Sequence, residues 1–158
     1  MSSPASIAKH PIHPMLVPFP IALWIFSFVC DVVYGLDWGG RLWKDIAFLS
    51  MAGGVIGALL AAIPGYLDYR SLKAVEVHRI GWWHMVINLS LAILFTINLW
   101  LRFGNDPGAL LPVMLSFVGI AGLGISGWLG GELVYVHGAA VEQQTRPSVE
   151  KKVRDKAA

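Results

Sequence analysis

Five histidines are the residues of this 158-residue chain best suited to chemistry. His10 and His13 share the segment His10-Pro11-Ile12-His13-Pro14. Each precedes a proline, which disfavours the α conformation. In polyproline geometry, positions three apart lie on one side. The two imidazoles then either face one site or cap the helix that follows. His84 is followed by Asn88 at i+4, and the stripe His84, Asn88, Leu91, Phe95, Asn98 points one way on a helix. His137 closes the run from Gly130 to Gly138. If the helix persists that far, His137 projects along the face of Gly119, Ser126 and Gly130. That glycine-lined face leaves room for a flat ligand or for another helix. His78 sits about 120° from His84 on a helix and is expected at the surface.

Neutral imidazole is a ligand for iron, copper and zinc. Haem iron takes two histidines from neighbouring helices when a bundle supplies a dry pocket. The chain has no Cys-x-x-Cys-His, so any haem would be non-covalent haem b. Its one cysteine, Cys30, rules out an intrachain disulfide and lies far from the histidines. The candidate ligands to haem b or a transition metal are therefore His84 with one of His13, His10 or His137, with Asn88 beside them. Asp68 and Glu132 could orient a ligating imidazole; pairing with Arg70 or Arg79 is the alternative. Asp31 is expected at the membrane interface.

The elements that must position these residues are legible in the charges. The chain is 56% hydrophobic and 14% charged, against about 25% charged in soluble domains. No Asp, Glu, Lys or Arg falls between Lys9 and Asp31, Asp45 and Asp68, Arg79 and Arg102, or Asp106 and Glu132, gaps of 21, 22, 22 and 25 residues. A helix needs roughly 20 apolar residues to cross a bilayer. The spacing predicts an all-α polytopic membrane protein, a bundle of four transmembrane helices. The helices are expected at 15–34, 45–67, 79–100 (with a start as early as 72) and 110–135. Residues 1–140 form the transmembrane domain and 141–158 a polar basic tail. The start of the chain lacks the apolar core of a cleaved signal.

Four crossings bring both termini to one side. Nine lysines and arginines lie there and three on the other side. The positive-inside rule makes the side of the termini cytoplasmic, in the bacterial inner membrane. All five histidines fall toward that side. Tyr and Trp residues cluster near both expected interfaces; Trp24, about mid-span, is the exception. Gly53-x-x-x-Gly57 and the small face of the fourth span allow close helix packing, within the chain or in a homo-oligomer. A net charge of +2 does not suggest nucleic acid.

The pieces His10-Pro11-Ile12-His13-Pro14 with Phe19-Pro20, Gly65-Tyr66-Leu67-Asp68, His84 with Asn88, and Gly130-Gly131-Glu132-Leu133-Val134-Tyr135 with His137-Gly138 resemble a bacterial membrane family, domain of unknown function 2231. The resemblance runs from His10 to about Gly138. Many relatives place a histidine just before Phe-Pro; this chain has Pro18 there, a departure that puts a third N-terminal ligand in doubt. Some relatives look fused to Rieske-type iron–sulfur domains, which implies redox chemistry and a redox partner protein by analogy.

Three functional readings follow. The first is a haem b or metal protein of electron transfer. The second is a non-catalytic membrane subunit or small-molecule carrier without cofactor; no inverted repeat or broken mid-span helix supports a transporter. The third is a hydrolytic enzyme, for which no His-Glu-x-x-His or Gly-x-Ser-x-Gly motif is present.

Overall fold

A computed structural model describes residues 3–103 and 109–141. The basic tail expected over 141–158 lies, but for Val141, outside the described residues. The chain opens with a two-strand hairpin, β1 (Ser6–Ile7) and β2 (His10–Pro11). Ala8 and Lys9 turn it, both at positive φ. Helices α1 (Ile12–Leu16), α2 (Pro18–Gly35), α3 (Leu42–Ser71), α4 (Val75–Arg102) and α5 (Leu110–Gly131) follow. A π-helical turn, Glu132–Val136, ends the last span.

Four spans are long and apolar enough to cross a membrane: Ile12–Gly35, Leu42–Ser71, Val75–Arg102 and Leu110–Val136. All four correspond to the uncharged gaps. Each outer end exceeds or matches the expected one, because the helices carry their interfacial charges for another turn. Pro14, Pro18 and Pro20 are tolerated because they fall in the first turns of α1 and α2, where the N–H has no helical acceptor.

Two expectations are corrected. The polyproline stretch over His10–Pro14 does not form. Pro11 is extended, but Ile12–Leu16 is helical and His10 belongs to the hairpin. His137 does not continue the face of Ser126 and Gly130. The π turn bonds His137 N–H to the Glu132 carbonyl, and its wider winding turns His137 roughly a quarter turn off that face.

The helices run up, down, up, down. Each packs on its neighbour in sequence, and α5 closes the ring against α2. The core is Trp24, Met51, Val55, Leu91, Phe95 and Leu123. Outward positions such as Leu49, Ile56, Ile63 and Ile93 are exposed and apolar, as lipid contact requires. Trp24, the residue outside the aromatic belts, stacks on Phe95 at 4.1 Å in mid-bundle. Its Nε1 has no hydrogen-bond partner among the described residues.

Candidate functional site

His13 and His84 come together. Their ring centroids are 6.4 Å apart and their planes nearly perpendicular, at 88°. His13 rides on α1, and α4 carries His84 one-third of the way along its length.

Each ring is held by the same device. His13 Nδ1–H donates to the Ala61 carbonyl on α3 at 2.8 Å. His84 Nδ1–H donates to the Ser126 carbonyl on α5 at 3.0 Å. A carbonyl can only accept, so both neutral rings carry their proton on Nδ1 and keep a lone pair on Nε2. One turn beyond each carbonyl stands a glycine. A Cβ at Gly65 would sit 2.7 Å from His13 Cε1, and one at Gly130 would sit 3.0 Å from His84 Cε1. The glycines are what let the imidazoles lie against the helix backbone.

Asn88 tightens the His84 side. Its Nδ2 donates to Ser126 Oγ at 2.6 Å and to the His84 carbonyl at 2.7 Å. The same nitrogen lies 3.3 Å from His84 Nε2. The expected polar stripe is real: Leu91, Phe95 and Asn98 are buried along it. The glycine face of α5 is filled by a helix, because Gly119 meets Phe95 and Gly130 meets His84.

The other candidates stand apart. His10 is exposed on the hairpin, with Nδ1 on the Ala8 carbonyl at 2.8 Å. His137 is half-buried beyond the π turn. His78 is exposed and its ring lies tilted against Tyr69, whose hydroxyl is 3.3 Å from its Nδ1. Asp68 has no hydrogen bond to an imidazole among the described residues; it accepts from Ser3 Oγ at 2.5 Å. No hydrogen bond joins the Glu132 carboxylate to an imidazole among the described residues. No group of three or more His, Cys, Asp or Glu there could hold a metal ion. Two imidazoles, those of His13 and His84, are the candidate side chains that the fold brings together.

Sequence reasoning missed the carbonyl of Ala61 and the role of Gly65. The signal was present as Ala61-x-x-x-Gly65 and Ser126-x-x-x-Gly130, two small-residue pairs at helical spacing. It also missed the partners of Asp31, which is buried at the far end of the bundle in ion pairs with Arg102 and Lys44.

Comparison with curated proteins and with solved structures found no match. The profile of domain of unknown function 2231, described as a predicted membrane protein, matches residues 9–143. With four membrane-length helices and a match over most of its length, the chain is a membrane protein of that family.

Proposed function

We propose that His13 and His84 bind a redox metal centre through their Nε2 atoms, and that the protein serves electron transfer in the bacterial inner membrane with a redox partner protein. The observation that carries this reading is the paired anchoring of the two rings. Ligating histidines characteristically donate their other ring N–H to a carbonyl or carboxylate, which fixes tautomer and orientation. Here both do so, from different helices. The two ring centroids lie 6.4 Å apart, close enough for both imidazoles to reach one metal. Haem b iron and a single transition-metal ion share this chemistry.

When bound, such a centre supplies one-electron chemistry. The chain's own residues do the rest. Ala61 and Ser126 orient the rings, Gly65 and Gly130 give them room, and Asn88 holds Ser126 in register. The apolar core below keeps water from the inner side of the pair.

A visible spectrum of the detergent-purified protein, oxidised and then dithionite-reduced, tests the haem form. Absence of a Soret band after expression with ample haem excludes it. Metal analysis of the same sample then judges the ion.

A second reading rests on the same hydrogen bonds. His13 ties α1 to α3 and His84 ties α4 to α5, which also suits a cofactor-free subunit or carrier. That reading expects His84→Ala to alter co-purifying partners without removing any chromophore or metal.

A further inference from the structure

We propose that the bundle is a tandem duplication of one helical hairpin, and that the ligand of the His13–His84 pair lies on its pseudo-twofold axis, bound by two equivalent imidazoles. The ligand half rests on the reading above; the duplication does not.

The contacts of the first hairpin recur in the second at fixed offsets. Residues of α1 and α2 map 71 positions onward into α4, and residues of α3 map 65 positions onward into α5. His13 on the Ala61 carbonyl becomes His84 on the Ser126 carbonyl. Gly65 under His13 becomes Gly130 under His84. Gly54 against Trp24 becomes Gly119 against Phe95, and Gly57 against Pro20 becomes Gly122 against Leu91. Ser27 Oγ donates to the Ala47 carbonyl at 2.7 Å; its counterpart Asn98 Nδ2 donates to the Pro112 carbonyl at 3.0 Å. One pair of offsets accounts for all five.

A second, independent relation follows. Near a twofold axis a residue meets its own counterpart. His13 meets His84, Trp24 stacks on Phe95, and Asp31 pairs with Arg102. Each pair differs by the same 71 positions. The three lie at successive levels along the first span (α1 and α2) and α4, so the axis runs along the bundle. Both hairpins enter from the same end, which makes this a parallel repeat about the membrane normal.

The symmetry narrows the ligand. A group on the axis takes one nitrogen from each repeat in the same geometry, which suits a metal centre with two equivalent coordination positions. The repeats have diverged beside it: Asn88 corresponds to Val17, so only His84 carries an amide at its Nε2. At the far end, Asp31 and Arg102 occupy equivalent positions with opposite charge. Two copies of either repeat would oppose like charges there, so the pairing is specific to the joined chain.

Two measurements on the full chain separate the halves of the proposal. The first compares Trp24→Phe, Phe95→Trp and the exchange of both, by thermal midpoint in detergent. Equivalent cradles predict that each single variant is destabilised and that the exchange recovers most of the loss. An exchange as unstable as the sum of the singles overturns the duplication. The second titrates haemin, and separately copper alone, into wild type, His13→Ala and His84→Ala, each checked as folded by size-exclusion profile. Equivalent ligands predict that both variants lose affinity by about tenfold or more, to similar extents. Loss in one variant only overturns the on-axis ligand. No binding to wild type overturns that half together with the metal reading, while the exchange still judges the repeat.

Discussion

Arg102 grips Asp31 with both arms of its guanidinium, Nη1 to Oδ1 at 2.9 Å and Nη2 to Oδ2 at 2.5 Å, joining the far ends of α4 and α2. Lys44 adds a third bond to Oδ1 at 3.1 Å. Arg102 also donates to Asn98 Oδ1 and Ser116 Oγ. The Asp31 side chain is wholly buried.

Removing one partner leaves a buried charge. Arg102→Ala is therefore expected to destabilise the protein by about 3 kcal/mol or more. The double variant Asp31→Leu with Arg102→Met removes the two more deeply buried charges, leaves the partly exposed Lys44 to turn toward water, and should return most of that stability. Unfolding in mixed detergent, followed by circular dichroism, measures both. If the double variant is as unstable as Arg102→Ala, the buried-charge account fails.

The glycines under the imidazoles give a graded prediction. A methyl at Gly65 would meet the His13 ring at 2.7 Å, and one at Gly130 would meet His84 at 3.0 Å. Both replacements overpack, at a cost of about 1–3 kcal/mol. Gly65→Ala should cost more than Gly130→Ala, by thermal midpoint, and should weaken haemin or copper binding more. The reverse order would mean that the His13 ring moves aside freely.

The four spans were legible because charge is costly in hydrocarbon, so Lys9, Asp31, Asp45, Asp68 and their counterparts mark the limits of each helix. The inward stripe from His84 to Asn98 was legible for the same reason. The meeting of His13 and His84 was not. A histidine's side of the membrane follows from hydropathy, but its direction follows from which helix lies beside it. His10 showed this most clearly: the Ala8–Lys9 turn carries it into a hairpin, which no preference of the X-Pro step foretold. The duplication was hidden because matched positions conserve contacts more than residue types. Trp24 answers to Phe95, Ser27 to Asn98 and Asp31 to Arg102, and matched positions lie six residues closer in the second hairpin, as Ser27–Ala47 against Asn98–Pro112 shows.

Asn88 distinguishes orientation from ligation. Its amide bonds Ser126 Oγ and approaches His84 Nε2. Asn88→Val installs the residue found at the matching position, Val17. Interhelical hydrogen bonds of this kind contribute about 0.6 kcal/mol, at most about 1.7, so a small fall in thermal midpoint is expected. Affinity for haemin or copper should be kept, because the Nε2 lone pair is freed. A loss equal to that of His84→Ala would instead make Asn88 a binding residue.

His10 and His137 should be dispensable for ligand binding. His10 is exposed on its hairpin, and the π turn rotates His137 away from the face of Gly130. His10→Ala and His137→Ala are expected to bind haemin or copper within about threefold of wild type, far less than the loss of about tenfold or more expected for a true ligand. Titration of the two variants beside His13→Ala decides it. A tenfold loss in either would bring that histidine into the site.

Orientation can be read with the chain's single cysteine removed. With Cys30→Ser as background, Asp37→Cys lies between α2 and α3, and Lys73→Cys between α3 and α4. The excess of lysine and arginine on the side of Lys73 predicts that this side faces the cytoplasm. A membrane-impermeant maleimide added to intact cells with a permeable outer membrane should label Asp37→Cys and leave Lys73→Cys unlabelled until the inner membrane is opened. The same charge bias predicts the His13–His84 pair near the cytoplasmic face, since His13 opens the first span on the side of Lys73. Labelling of Lys73→Cys in intact cells would invert the protein and move the proposed redox site to the periplasmic face.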